Sequence, residues 1–360
     1  KGVSAPVTLN IQSGSYNEQI SIVSIPGASA TNTVTFKSLT GNVADVQWFF
    51  AANSASNNYL VKLSSADNIT FQNLSLFATG TSYARVFELS GAVENAKILN
   101  NTLSGFATTS GSAQYALIYV DNSYTSNLQI TGNNFAAGGW GVYVVGISNA
   151  TQSNGTRVLS NTFTTGYGGV YLQHQDSPYI NGNTITANYR GIELYDADDS
   201  VQVQKNRIVL SGQAYGIYLY ICDGTQFGGK GLIANNFVQI GGASTAYGLY
   251  IESSTWQNVY YNSVNITSTY TAGGIAFYPN NGNNLSVKNN IFANNGGGYA
   301  YYTATPSALA NSNYNDLYSP GNFVGYWGTT NVRDLAAFKT VSGKDTNSVS
   351  IYPQYLSATD

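Results

Sequence analysis

Apolar and polar positions follow a figure that recurs along most of this chain: an apolar residue, two spacers, an Asn, one spacer and a second apolar residue. It occurs at Ile98/Asn101/Leu103, Ile130/Asn133/Phe135, Val158/Asn161/Phe163, Ile180/Asn183/Ile185, Val203/Asn206/Ile208, Leu232/Asn235/Phe237, Val259/Asn262/Val264 and Val287/Asn290/Phe292, with successive Asn residues 22 to 32 positions apart. A unit of that length cannot bury its own apolar face, so self-similarity at this period marks a solenoid whose stacked units share one core. A second mark runs in phase with the first, a Gly followed by alternating residues, at Gly141-Val-Tyr-Val, Gly169-Val-Tyr-Leu, Gly191-Ile-Glu-Leu, Gly216-Ile-Tyr-Leu, Gly248-Leu-Tyr-Ile and Gly274-Ile-Ala-Phe. Alternation predicts short strands with one buried face: Val142 and Val144, Ile192 and Leu194, Ile217 and Leu219, Leu249 and Ile251 turn inward, and the residue between each pair turns out.

Asn suits a recurring turn because it tolerates left-handed backbone and its amide bonds backbone groups nearby. Stacking also places equivalent Asn side chains about 4.8 Å apart, close enough for each amide to donate to the next. These Asn residues are therefore read as structural.

The combined pattern, over residues 60 to 302, resembles the right-handed parallel β-helix superfamily, the fold of pectate lyases and related carbohydrate-active proteins. The segment Val7-Thr-Leu-Asn-Ile-Gln-Ser-Gly-Ser-Tyr-Asn-Glu-Gln-Ile looks like an opening coil of such proteins. The stretch from Ser312 to Tyr355 looks like the closing segment of large secreted or cell-surface bacterial proteins built on this fold. The resemblance implies an all-β, single-stranded right-handed parallel β-helix. It does not fix an activity, because one fold hosts many.

The expected organisation is one domain with irregular N-terminal coils over 1–65, regular β-helix coils over 66–303 and a C-terminal closing segment over 304–360. In the tail, Asn331-Val-Arg-Asp-Leu-Ala-Ala-Phe-Lys opens on an N-cap residue with an acidic residue three positions on, which predicts a short helix. Leu335 and Phe338 on that helix would plug the last coil.

Composition narrows the setting. Charged residues are 9% of the chain, against about 25% in ordinary soluble proteins, and Gly, Asn, Ser, Thr and Tyr take their place, as on secreted or bacterial cell-surface proteins. Net charge is −3 with the 14 Lys and Arg scattered, which gives no footprint for nucleic acid. No apolar stretch reaches the roughly 18 residues needed to cross a bilayer, so membrane insertion is not expected. Cys222 is the one cysteine and takes no part in an internal disulfide. The chain has no Met and begins Lys-Gly-Val, and so reads as a mature form or excised fragment. A monomer is expected.

Aligning the Gly units gives two outward columns. The second position after Gly holds Tyr143, Tyr171, Glu193, Tyr218, Tyr250 and Ala276, and the fourth holds Val145, Gln173, Tyr195, Tyr220, Glu252 and Tyr278. A coil spacing of about 4.8 Å is comparable to the advance of an extended polysaccharide per sugar. Tyrosine offers a flat ring to sugar C–H groups and a hydroxyl to sugar hydroxyls, so Tyr143, Tyr171, Tyr195, Tyr218, Tyr220 and Tyr250 form a candidate glycan platform, with Glu193 and Glu252 as acceptors. The competing reading is an aromatic ladder that stabilises the strands, at about 0.2–1 kcal/mol per pair.

The seventh position after Gly holds Asp176, Asp198 and Asp223 on three consecutive units. In register these carboxylates would repel unless a cation intervened, and calcium takes such oxygen ligands, which makes them a candidate metal site. As Asx-turn residues they would instead splay into solvent. His174 is the only His, so a His-dependent mechanism would use it. A lyase or glycosidase centre would draw on His174, Glu193, Asp196 and Asp198. The polygalacturonase, pectate lyase, mannuronan epimerase and pectin methylesterase motifs are not matched. The reading is a glycan-binding or adhesion module, with a polysaccharide lyase or glycoside hydrolase as the first alternative and a passive adhesin spacer as the second.

Overall fold

The computed structural model describes residues 2–227 and 229–355. The chain divides into two compact units, residues 1–184 and 185–360. In each, every coil contributes one strand to each of three parallel walls.

In the 1–184 unit the first wall stacks Val7–Ile11, Val34–Ser38, Ile69–Gln72, Lys97–Leu99, Gln129–Thr131, Arg157–Leu159 and Tyr179–Asn181 in chain order. The second stacks Gly14–Asn17, Val46–Phe50, Ser75–Ala78, Thr102–Ser104, Asn134–Ala136 and Thr162–Thr164. The third stacks Ile20–Val23, Val61–Ser64, Phe87–Ser90, Ile118–Val120, Trp140–Val145 and Gly168–Asp176. Strands before residue 66 keep this rhythm, although the Asn figure is missing there. In the 185–360 unit the first wall runs Gln202–Gln204, Gly231–Ala234, Gln257–Tyr260, Leu285–Lys288 and Leu309–Asn313. The third runs Arg190–Asp198, Ala214–Tyr220, Ala246–Glu252, Gly274–Asn280, Tyr299–Thr303 and Gly325–Trp327. The architecture is that of a parallel β-helix, and its right hand follows the handedness of parallel crossovers.

In-register pairing stacks like on like. Ile98 lies between Phe71 and Ile130, and Phe135 stacks on Phe163 at 4.4 Å. The predicted inward residues Val142, Val144, Ile192, Leu194, Ile217, Leu219, Leu249 and Ile251 are all buried.

The Asn ladder is buried and continuous within each unit. Asn101, Asn133 and Asn161 each donate Nδ2 to Oδ1 of the next ladder residue, ending at Asn183, over 3.0–3.2 Å. In the 185–360 unit the chain of donors is Asn206, Asn236, Asn262 and Asn290, with Asn315 accepting last. Each Oδ1 also accepts a backbone N–H of the preceding coil, as Asn161 does from Asn133 N. Nearly every polar atom of the buried amide is thus bonded, which burial requires.

Two details correct the sequence reading. The ladder residue is Asn236, in the frame Ile233/Asn236/Val238, and not Asn235. Nor does the ladder Asn take left-handed backbone: the residue before it does, at Asn100 (φ 53), Ser160 (φ 53), Lys205 (φ 54), Asn235 (φ 57), Tyr261 (φ 56), Asn289 (φ 58) and Tyr314 (φ 58). That residue turns the corner between the first and second walls. The ladder residue, freed from that task, faces inward.

The predicted helix is Leu335–Ser342, with Asp334 rather than Asn331 as N-cap, its carboxylate accepting from Ala337 N. Phe338 is buried against Tyr301 and Trp327, while Leu335 is only partly buried. The following segment ends the ladder: Asn315 donates Nδ2 to Asp345 Oδ1 and its backbone N–H to Ser348 Oγ.

Candidate functional site

The third wall carries the predicted tyrosine platform. In the 1–184 unit, Glu88, Tyr119, Tyr143 and Tyr171 stand in register. Tyr143 stacks on Tyr171 at 4.6 Å, and Arg85 covers the Tyr119 ring at 3.3 Å. In the 185–360 unit the column is Glu193, Tyr218, Tyr250, Tyr278, Tyr302 and Tyr326. Tyr278, not Ala276, is the partner of Tyr250: Gly274 pairs with Ala246, so the Gly274 unit lies two positions out of the phase read from sequence, and buried Ala276 takes the place glycine holds elsewhere.

These rings face one another. Tyr218 stacks on Tyr250 at 4.8 Å, Tyr250 on Tyr278 at 4.6 Å and Tyr302 on Tyr326 at 4.4 Å, each within 15° of parallel. A neighbouring column, Tyr215 and Tyr247, stacks at 5.3 Å and meets the first edge-on. Tyr250 is 9% exposed. Tyr195 and Tyr220, two positions further along their strands, tilt against each other at 4.7 Å. A ring whose faces are covered by its neighbours offers a sugar only its edge and hydroxyl, so the stacked wall behaves as an aromatic ladder.

Polar groups fill the edge of this wall in the 185–360 unit. Tyr218 Oη donates to Glu252 Oε2 at 2.7 Å, and Asn280 Nδ2 donates to Glu252 Oε1 at 3.3 Å. Burial, reinforced by the bond to Glu252, raises the Tyr218 phenol far above its ordinary value, and burial likewise raises Tyr250. Tyr278 is pushed up to about 12, chiefly by burial. Glu193 is held by Arg190, whose Nε donates at 3.1 Å, yet burial outweighs that cation and its carboxyl titrates above the usual range.

The predicted aspartates are not brought together as a metal centre. Asp176, in the 1–184 unit, accepts from Asn154 Nδ2 at 3.1 Å and from Ser177 Oγ at 2.7 Å. In the 185–360 unit, Asp198 Oδ1 accepts from Asp223 N at 2.9 Å, and Asp223 Oδ1 is buried without a hydrogen-bond partner among the described residues. Among the described residues no group of three or more His, Cys, Asp or Glu side chains is placed to hold a metal ion. Their carboxylates are engaged instead by groups of adjoining coils, Asn154 Nδ2 for Asp176 and the Asp223 backbone N–H for Asp198, with Ser177 Oγ as the one local donor. His174, of the 1–184 unit, sits at a left-handed corner (φ 54) with Nε2 3.1 Å from Gln173 Nε2. Asp196, of the 185–360 unit, occupies a left-handed position (φ 51) and is nearly buried. The alternative catalytic set is therefore divided between the two units.

A feature the sequence reading missed lies on the first wall of the 1–184 unit. A groove of about 430 Å³ is lined by Asn68, Asn95 and Asn127 at one side and by Thr70, Lys97, Gln129 and Arg157 along its floor. The three Asn residues form a second amide ladder, with Asn127 donating to Asn95 and Asn95 to Asn68 over 3.0–3.1 Å. All three take left-handed backbone, at φ 53 to 60. The floor residues are in strict register on four consecutive coils, which places Lys97 and Arg157 two coils apart with Gln129 between them. Neither cation is ion-paired among the described residues. No carboxylate stands in this column from Thr35 to Arg157, nor in the next outward column, Lys37, Gln72, Leu99, Thr131 and Leu159. Asp67 and Glu94 lie outside both columns, directly before Asn68 and Asn95; Glu94 ends the short strand Val93–Glu94, and Asp67 Oδ1 accepts from Glu94 N of the next coil.

The family model described as "NosD: Periplasmic copper-binding protein (NosD)" matches residues 92–239, less than half of the chain. The chain is a parallel β-helix. The match spans coils of both units and starts just before the first Asn of the ladder. No curated protein and no solved structure matches the chain.

Proposed function

We propose that this chain is an exported β-helix that binds an extended acidic glycan along the first-wall groove of residues 1–184. The observation that carries the reading is the pair of unpaired cations, Lys97 and Arg157, held two coils apart on the groove floor beside an amide ladder, with no carboxylate in either outward column. Two coils span about 9.6 Å, comparable to the advance of two sugars in an extended chain. Every second acidic sugar would then meet a cation, with the Arg157 guanidinium able to hold a carboxylate by two hydrogen bonds. Asn95, Asn127 and Gln129 would bond sugar hydroxyls. Export is supported by the low charge content of 9% and by the matched family's description as periplasmic. No helix of the described residues is long and apolar enough to cross a membrane.

Copper does not fit this chain's own side chains. Copper sites draw on Cys, Met and His donors, and here there are one Cys, one His and no Met. Cys222 is fully buried, and burial pushes its thiol far up, away from the thiolate a metal would need.

The test is retention in affinity gels containing polymannuronate, polygalacturonate or hyaluronan, beside neutral glucomannan and xylan and double-stranded DNA. Retention by an acidic gel that weakens with salt, and that Lys97→Ala with Arg157→Ala reduces by about ten-fold without lowering the unfolding temperature, is the expected result. Equal migration through acidic and blank gels, or preference for DNA, would sink it.

A glycoside hydrolase is a second reading, favoured by the raised carboxyl of Glu193 and by Glu252 accepting from Tyr218, whose electrostatic environment includes both carboxylates. A carboxyl raised above its usual range by burial suits a general acid. New reducing ends released from any of these polymers, abolished by Glu193→Gln, would establish it.

A further inference from the structure

Two tyrosines stand apart from every stack. Tyr261 and Tyr314 are 60% and 56% exposed, and among the described residues neither ring meets another aromatic ring and neither hydroxyl has a hydrogen-bond partner. Both occupy the left-handed corner between the first and second walls, at φ 56 and 58, where other coils of the 185–360 unit place Lys205, Asn235 and Asn289. A bulky side chain is disfavoured in that backbone region, and Asn takes it more readily. Neither ring fills the core, so neither the burial nor the local backbone preference accounts for an aromatic residue there.

The corner column stacks in register with the first-wall strands, so Tyr261 and Tyr314 lie two coils apart with the smaller Asn289 between them. Beside them runs the outward column Tyr260, Lys288 and Asn313. Tyr260 Oη lies 2.9 Å from both Asn258 Oδ1 and Ser286 Oγ, and Lys288 is in no ion pair among the described residues. Exposed aromatic side chains, polar neighbours and a cation on the intervening coil make one strip parallel to the stacking direction.

We propose that Tyr261 and Tyr314 form a second glycan contact, in which their rings stack on alternate sugars of an extended chain while Lys288 meets an acidic group on the sugar between. Sugar rings present apolar C–H faces to an aromatic ring, and two coils, about 9.6 Å, match the advance of two sugars. This rests on the reading of the chain as a glycan binder, but on none of the groove residues.

The test uses the full chain in the same polymannuronate, glucomannan and xylan gels. Tyr261→Asn with Tyr314→Asn should weaken retention by about ten-fold while the unfolding temperature holds or rises, because Asn is at ease in the corner. Tyr261→Phe with Tyr314→Phe should keep most of the retention, since the ring face makes the contact, and this variant guards against loss through misfolding. Unchanged retention of the Asn double variant would overturn the proposal. So would retention lost equally in the Phe variant, which would make the hydroxyls, not the rings, the contact. If Lys97→Ala with Arg157→Ala loses retention and the Asn variant does not, the groove stands and this strip falls; the reverse pattern removes the groove and keeps the strip. A wild-type chain retained by none of the gels overturns both.

Discussion

Tyr250 on the third wall and Tyr261 at the neighbouring corner belong to the same coil region, eleven residues apart, and do opposite things with the same side chain. Tyr250 is pressed between Tyr218 and Tyr278, nearly buried, in extended backbone of a long strand. Tyr261 stands in left-handed backbone, is 60% exposed and has no aromatic neighbour among the described residues. The difference teaches that in a solenoid the number of tyrosines says little about binding. Rings brought into register satisfy one another; rings set where the register gives them no neighbour stay exposed.

Amides divide in the same way, and this gives the largest expected effect. Asn236→Ala interrupts a buried ladder, removing the acceptor shared by Asn206 N and Asn206 Nδ2 and the donor to Val203 O and Asn262 Oδ1, at about 1–3 kcal/mol for each group left unsatisfied, so a loss of about 4 kcal/mol is expected in denaturant unfolding. Asn235→Ala, one residue away at the corner, should cost about 1 kcal/mol, for backbone preference alone. Similar losses at both positions would refute the division between ladder and corner.

Next comes Tyr250→Ala, which empties a nearly buried ring site and should cost about 3 kcal/mol. Glycan retention per folded molecule should hold. A drop in retention without a drop in stability would return the stacked wall to the role of binding platform.

Alkaline titration is a third probe. Tyr218, Tyr250, Tyr278 and Tyr302 hold their protons more tightly when folded, chiefly through burial, than an unfolded tyrosine does, whose pKa is near 10. The stability they contribute is therefore fully present below about pH 10 and is lost as pH rises through the folded values, with Tyr278 at about 12. Phenolate absorbance should rise together with the loss of β-structure by circular dichroism above pH 10. Phenols that ionise well before unfolding would show the wall to be wetter than the structure has it.

The smallest effect has the opposite sign. Tyr261→Asn should raise stability by about 0.5 kcal/mol by relieving the corner. A clear destabilisation would mean that the ring packs on something that aids folding.

Much of the fold was legible because the coil makes exacting demands at fixed intervals: an amide that can both give and accept inside, and alternation on strands with one wet face. The slips came where two residues satisfy one demand. Leu232/Asn235/Phe237 and Ile233/Asn236/Val238 both fit the figure, and only burial distinguishes them. Ala276 stands where the other coils have glycine, which moved Tyr278 into the wrong column. The groove was hidden because Thr70, Lys97, Gln129 and Arg157 come from four coils and share no motif; only strand register makes them neighbours. The corner tyrosines were invisible for a related reason, falling at a spacer position that the repeat leaves unspecified. The groups that engage the aspartates, Asn154 Nδ2, Ser177 Oγ and the Asp223 backbone N–H, were hidden as well, because no repeat marks them.

The closing of the ladder by Asp345 and Ser348 has a further consequence. A column of amides is a one-dimensional lattice with a direction, and its last member presents to the outside the same bonding pattern that recruited it. By occupying both the backbone N–H and the Nδ2 of Asn315, the tail poisons that growing face, so that the column ends on donors already engaged.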